Sequence, residues 1–182
     1  MNNNLESLTM ITILSGTNRA GNNTIKIANQ YLSHFEEQGI AAQIFDLQNL
    51  PLDFSSTWTS DKQSSDFQKQ VETFVRNAGK VIVVAPEYQG TFPGILKLVF
   101  DAIHPRDMKG KKFALTGVAS GRAGNLRGLD HLSTAFHYLG ITIYPTLLPI
   151  SRISELLNAE GQLQDEATIK AIKAHADGFA AF

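Results

Sequence analysis

Short, dense runs of apolar residues alternate along this chain with longer stretches in which apolar positions recur every three or four residues. The runs cover residues 10–15, 41–47, 80–85, 112–119 and 141–147, and four of them are dense in Val, Ile, Leu or Phe. Continuous apolar runs of this length suit strands of a sheet that is covered on both faces. The periodic stretches cover residues 23–38, roughly 61–77, 94–103, 125–138 and 164–180, and each predicts a helix with one buried stripe. Ala28, Tyr31, Leu32 and Phe35 form the stripe of the first. Leu126, Leu129, Leu132 and Phe136, and later Ile169, Ile172 and Phe179, form stripes of the same kind. Five strand and helix pairs in strict alternation predict an α/β fold, a doubly wound three-layer sandwich around a five-stranded parallel sheet. The polar stretch 48–63, with Pro51 and Trp58, follows neither pattern. No repeat or linker divides the chain, so residues 1–182 read as one domain.

In an open parallel sheet a ligand sits beyond the carboxyl ends of the strands, where the strand order reverses, so the loops after the first, third and fourth strands carry the chemistry. The first, Ser15-Gly16-Thr17-Asn18-Arg19-Ala20-Gly21-Asn22-Asn23-Thr24, runs straight into a helix. Free N–H groups at the positive end of that helix make a site for an anion, and a phosphate is the natural guest. Gly16 and Gly21 have the spacing of a triphosphate-binding loop, yet Asn22-Asn23-Thr24 stands where Lys-Ser/Thr would be needed, and the G-x-G-x-x-G dinucleotide pattern is missing. A phosphate monoester is the expected ligand. After the third strand, residues 85–94 hold two prolines, two glycines, Tyr88 and Phe92, which shape a loop suited to a flat ring. The loop after the fourth strand, Ser120-Gly121-Arg122-Ala123-Gly124, lets backbone amides approach a ligand and adds a cation. One phosphate loop and two loops for a planar polar ring, all at one sheet edge, describe a flavin mononucleotide (FMN) site.

Composition removes competing chemistries. With 16 basic and 17 acidic side chains and no block of like charge, no nucleic-acid partner is expected. The absence of cysteine excludes thiolate metal sites and cysteine nucleophiles. The five histidines show no i, i+4 ligand pair, and Ser120 stands one residue too late for the G-x-S-x-G elbow. Lys97 and Asp101, four apart on one helix, read as a local ion pair. No apolar run is long enough to span a bilayer and the first residues lack the layout of a signal peptide, so the expected location is the cytoplasm, with no membrane partner.

Pro86-Glu87-Tyr88, followed by Pro93-Gly94-Ile95-Leu96-Lys97 and Asp101, resembles the Pro-Glu-Tyr-Asn…Pro-Gly-x-Leu-Lys…Asp pattern of the NAD(P)H-dependent FMN reductases, a flavodoxin-like family that includes azoreductase-like and chromate-reductase-like flavoproteins. Gly16-Thr17-x-Arg19 and Asn22-Asn23-Thr24 are similar to the family's phosphate loop. The resemblance implies phosphate contacts from Thr17, Arg19, Asn22, Asn23 and Thr24. It implies ring contacts from Pro86, Glu87, Tyr88, Gln89 and Gly90 and from Ser120, Gly121 and Arg122. Two departures stand out. Gln89 replaces the family's Asn, and Asn125 takes a position where many members have Gly.

The resemblance implies an enzyme in which NADPH or NADH reduces bound FMN, which then reduces a small-molecule acceptor such as a flavin, quinone, azo or nitro compound, or oxidised metal ion. No side chain is required as acid or base, so no catalytic residue is named, and no metal. A homodimer or homotetramer is expected by the same resemblance. The rival readings are an FMN electron carrier without nicotinamide activity and a binding domain that keeps the fold with a degraded site. Carriers of that type tend to be strongly acidic, whereas this chain has a net charge of −1.

Overall fold

A computed structural model describes residues 10–57, 59 and 63–182. The N-terminal residues read for targeting signals, Trp58, and the expected start of the second helix at Asp61 lie outside the described residues. Strand β1 (Ile11–Ser15) leads to helix α1 (Thr24–Glu37) and then β2 (Ala42–Asp46). A turn of 3-10 helix at Leu47–Asn49 and the short α2 (Phe54–Thr57) occupy the stretch that showed no pattern, because Phe54 is buried there against Phe67. Helix α3 (Ser65–Val71), extended by a wider turn over Glu72–Arg76, precedes β3 (Lys80–Pro86), α4 (Gly94–Ala102) and a single turn, α5 (Pro105–Met108). Strand β4 (Lys112–Val118), α6 (Leu126–Tyr138), β5 (Thr142–Ile143), β6 (Leu148–Ile150) and α7 (Glu166–Ala181) complete the chain.

All strand pairs are parallel, in the order β2-β1-β3-β4-β5, with β6 also on β4. Ile13 lies between Ile44 and Ile82, so β1 is central and the strand order reverses beside it, as a flavodoxin-like sheet requires. Side chains alternate between two cores. Val81, Val83 and Phe113 pack with α3, α4 and α6, while Ile11, Ile82 and Ala114 pack with α1 and α7. The last element keeps its place through Lys80 and Lys112, whose ammonium groups donate to the carbonyls of Ala180 and Phe182 at the negative end of α7.

Two expectations need correction. The run 141–147 is not one strand. Phe113 opposes Ile143 but Thr116 opposes Leu148, so the edge chain holds more residues than β4 can pair and bulges between β5 and β6. Pro145 has no N–H for the ladder, and the Tyr144 ring turns onto His175 and Phe179 of α7 and onto Phe182 just after it. In the α6 stripe Leu129, Leu132 and Phe136 are buried, but Leu126, the first residue of the helix, is 47% exposed.

Candidate functional site

The phosphate loop is built by a continuous chain of buried polar side chains. Gly16 sits against β3, donating its N–H to the Val84 carbonyl at 2.8 Å. A Cβ there would lie 2.8 Å from that same oxygen, so only glycine fits. Beyond it the Thr17 Oγ1 accepts the N–H of Arg19 at 3.3 Å, and the Arg19 carbonyl accepts from Asn22 Nδ2 at 2.8 Å. Asn22 Oδ1 then accepts both the Thr24 hydroxyl at 2.6 Å and the N–H of Ile25 at 2.9 Å, which caps α1. Thr24 Oγ1 lies 3.0 Å from the Ser15 hydroxyl beneath the loop.

These bonds change how the loop binds an anion. Thr17 and Thr24 are fully buried and Asn22 nearly so, so their side chains hold the loop's shape and are turned away from solvent. The ligand face consists of backbone: the N–H groups of Gly21, Asn22 and Asn23 find no acceptor among the described residues. Exposed Arg19 stands beside them with no ion pair among the described residues. Unsatisfied amides at the start of a 14-residue helix, with a guanidinium alongside, suit a phosphate monoester.

The second loop leaves β3 with the N–H of Glu87 bonded to the Val118 carbonyl at 2.8 Å. Tyr88 and Thr91 exchange backbone bonds of 2.8 and 3.1 Å around Gln89 and Gly90, which have φ of 52° and 78°. That is a tight turn with left-handed backbone at both central positions, which favours Gly, Asn or Asp. The Tyr88 hydroxyl reaches back across the sheet edge to Thr17 Oγ1 at 2.9 Å. Phe92, expected at the ring site, packs instead against the α3, α4 and α6 core.

The third loop is fixed by the residue that departs there from the family's glycine. Asn125 is buried, with φ of 63°, and its Nδ2 donates to the carbonyls of Ala85 and Pro86 at 3.0 and 3.1 Å. It ties the third loop to the root of the second. Gly117 and Gly128 make room for it, since a Cβ at either would lie 2.1 Å from the Gly124 carbonyl or from Asn125 Oδ1. A fourth segment, after β6, closes over the third. Arg152 and Ile153 donate their N–H groups to Gly121 and Ala119, each at 3.0 Å, and the Ser151 hydroxyl donates to the Arg122 carbonyl at 2.6 Å. Among the described residues the non-glycine positions with positive φ are Gln89, Asn125 and Arg152. Each lies on one of these loops, a concentration of backbone strain typical of a working site.

The loops enclose a cavity of about 290 Å³, at the small end of the range for small-molecule sites. Of the residues singled out in the sequence, Arg19, Asn22, Asn23 and Thr24 line its phosphate side. Pro86, Glu87 and Tyr88 line a second wall and Ser120 a third. Thr17, Gln89, Gly90, Gly121 and Arg122 are not among the lining residues. The lining also includes Gly21, Val118, Ala119 and Ile153. Ile153 carried no motif, and only the return of the chain after β6 brings it there.

Residues 9–154 match the family model described as NADPH-dependent FMN reductase. The chain is 30% identical over 135 residues to an FMN-dependent NADPH-azoreductase of Staphylococcus aureus, covering 72% of this chain and 71% of that one. It is 30% identical over 123 residues to the enzyme of the same name from Staphylococcus saprophyticus, spanning 66% of this chain and 65% of that relative's length. Among solved structures it is similar to FerB, a flavoenzyme NAD(P)H:(acceptor) oxidoreductase from Paracoccus denitrificans, with a TM-score of 0.73, 19% identity and coverage of 95% and 96%. An NADH:FMN oxidoreductase, EMOB, also gives 0.73, with 21% identity and coverage of 95% and 89%. A short-chain flavodoxin gives 0.61 at 16% identity, with coverage of 95% and 96%.

Proposed function

Because this chain belongs to the NADPH-dependent FMN reductase family, we propose that its cavity binds FMN and that the protein is an NAD(P)H-dependent oxidoreductase acting on a small-molecule acceptor. FMN held there would supply the redox chemistry that links NADPH or NADH as hydride donor to a flavin, quinone, azo or nitro compound, or oxidised metal ion as acceptor. The observation that carries the reading is the phosphate loop. Its free amides at Gly21, Asn22 and Asn23 and the unpaired Arg19 fit a phosphate monoester, and the two other loops leave a slot suited to a flat ring beside it.

This chain's share is positioning. Arg19 and the loop amides hold the phosphate, and Pro86, Glu87, Tyr88 and Ser120 flank the ring. Val118, Ala119 and Ile153 give the slot an apolar floor that excludes water from one side. The nicotinamide and the acceptor use this one cavity in turn, which gives ping-pong kinetics. The domain comprises residues 1–182 and works in the cytoplasm, where reduced nicotinamide is regenerated. It works as a homodimer or homotetramer, as its family resemblance implies.

The test is the visible spectrum of protein incubated with FMN and desalted, followed by anaerobic NADPH or NADH in the same cuvette. A retained flavin band that bleaches at a catalytic rate supports the reductase. A retained band that neither coenzyme bleaches replaces it with an electron carrier, and a colourless protein removes FMN from the cavity.

A further inference from the structure

We infer that the Tyr88 hydroxyl is a positioning group for the flavin phosphate: through its bond to Thr17 it sets the phosphate loop from the ring side of the cavity. The inference rests on the FMN reading above. It departs from what the sequence suggests, in which Tyr88 offers only aromatic surface and Thr17 is itself a phosphate ligand.

The geometry separates the two roles. Tyr88 lines the cavity, and its hydroxyl lies 2.9 Å from Thr17 Oγ1, 71 residues away in the chain. Thr17 is fully buried and does not line the cavity, so its hydroxyl cannot meet a phosphate there. What it does meet is the Arg19 N–H, at 3.3 Å. The Arg19 carbonyl is in turn held by Asn22, and Asn22 caps α1. Arg19 itself is exposed, so its side chain is aimed by its backbone, and that backbone is pinned on the N–H side by Thr17 alone. Without the tyrosine hydroxyl, Thr17 loses its one partner outside the loop and its rotamer is free to change. The Arg19 amide then loses its acceptor and the guanidinium its direction. The second loop is rigid enough to act as the reference, because Asn125 fixes its root and the Tyr88–Thr91 turn closes its tip. One tyrosine therefore registers the ring end of the site against the phosphate end.

The prediction is that Tyr88 and Thr17 act as one unit that is felt only by ligands carrying a phosphate. FMN and riboflavin share the ring and differ in the phosphate, so their dissociation constants, read by quenching of flavin fluorescence, separate the two ends. Tyr88→Phe keeps the aromatic wall and removes the hydroxyl. Thr17→Val keeps the shape of the buried side chain and removes the acceptor. Each is expected to weaken FMN by about tenfold, the scale of one hydrogen bond, and riboflavin by less than about twofold. The double variant should be no weaker than the worse single one, because both delete the same link. Equal weakening of FMN and riboflavin overturns the inference in favour of a ring contact. So does no weakening of FMN, or additive losses in the double variant. Thermal unfolding of each variant identifies one that misfolds, and the other then carries the test. If the unaltered protein binds neither flavin, the FMN reading itself fails.

Discussion

Arg19 is the one charged side chain that the phosphate loop presents to the cavity, and nothing else in the described structure holds it. Arg19→Ala should raise the dissociation constant for FMN by about tenfold, as expected for loss of one charge-assisted contact. Its thermal midpoint without ligand should stay within about 1 °C, since exposed side chains contribute little to stability. Flavin titration and a melting curve on the same sample check both halves. Gln89 poses the opposite case, a residue that costs stability where it stands. Its φ of 52° is left-handed backbone without the tolerance of glycine or asparagine. Gln89→Gly should therefore stabilise the protein by about 1 kcal/mol in urea unfolding. A loss of stability would mean that the exposed amide makes a contact worth more than the strain.

At the level of elements, the edge of the sheet and the last helix are joined by a buried polar chain. Tyr31 of α1 bonds Thr116 of β4 at 2.9 Å and His175 of α7 at 2.7 Å, and His175 Nε2 lies 3.0 Å from the Thr146 carbonyl in the bulge between β5 and β6. The carbonyl can only accept, so Nε2 carries the proton and Nδ1 takes the tyrosine hydroxyl. The ring is neutral. Burial lowers the His175 pKa below its ordinary 6.5 and the Thr146 bond only partly opposes this, while burial raises that of Tyr31. In the unfolded chain His175 takes up a proton as pH falls through about 6.5, but in the folded protein it resists until lower pH. Its contribution is thus fully present above pH 6.5 and is lost as pH drops toward the folded value. Urea midpoints should fall between pH 7.5 and 5, and His175→Gln should reduce that pH dependence. An unchanged slope in the variant would assign the acid loss to other groups.

For the whole molecule, ligand binding and stability are linked, because the cavity draws its walls from four loops that exist together only in the fold. FMN at about one hundred times its dissociation constant should stabilise the native state by about 2.7 kcal/mol. For a chain of 182 residues that corresponds to a rise of roughly 5–10 °C in the thermal midpoint. Differential scanning fluorimetry in the absence and presence of FMN measures it. A flat response would show that no flavin binds.

The alternation of apolar runs with helical periodicity was enough to place all of the parallel strands but the last and the longer helices that follow them, because burial on both faces leaves a continuous apolar signature and one-sided burial leaves a periodic one. The phosphate loop and Pro86-Glu87-Tyr88 were equally legible, since glycine, proline and cap residues act within a few positions of themselves. Direction of side chains was not. Thr17 and Thr24 look like phosphate ligands in sequence, yet Tyr88, 71 residues beyond Thr17, and Ser15 below the loop claim their hydroxyls. Asn125 reads as a lapse from glycine until β3 presents two carbonyls to it. Ile153 gives no signal at all, and the split of β5 from β6 emerges only from the pairing with β4, where Phe113 opposes Ile143 and Thr116 opposes Leu148. The sequence by itself determined the order of elements, the sheet they form and the edge where a flavin phosphate is expected, because these follow from local propensity and patterned burial. Only the tertiary structure decided which polar groups are open to the cavity and which are consumed in shaping its loops, because hydrogen bonds between residues far apart in the chain exist only once the layers have packed.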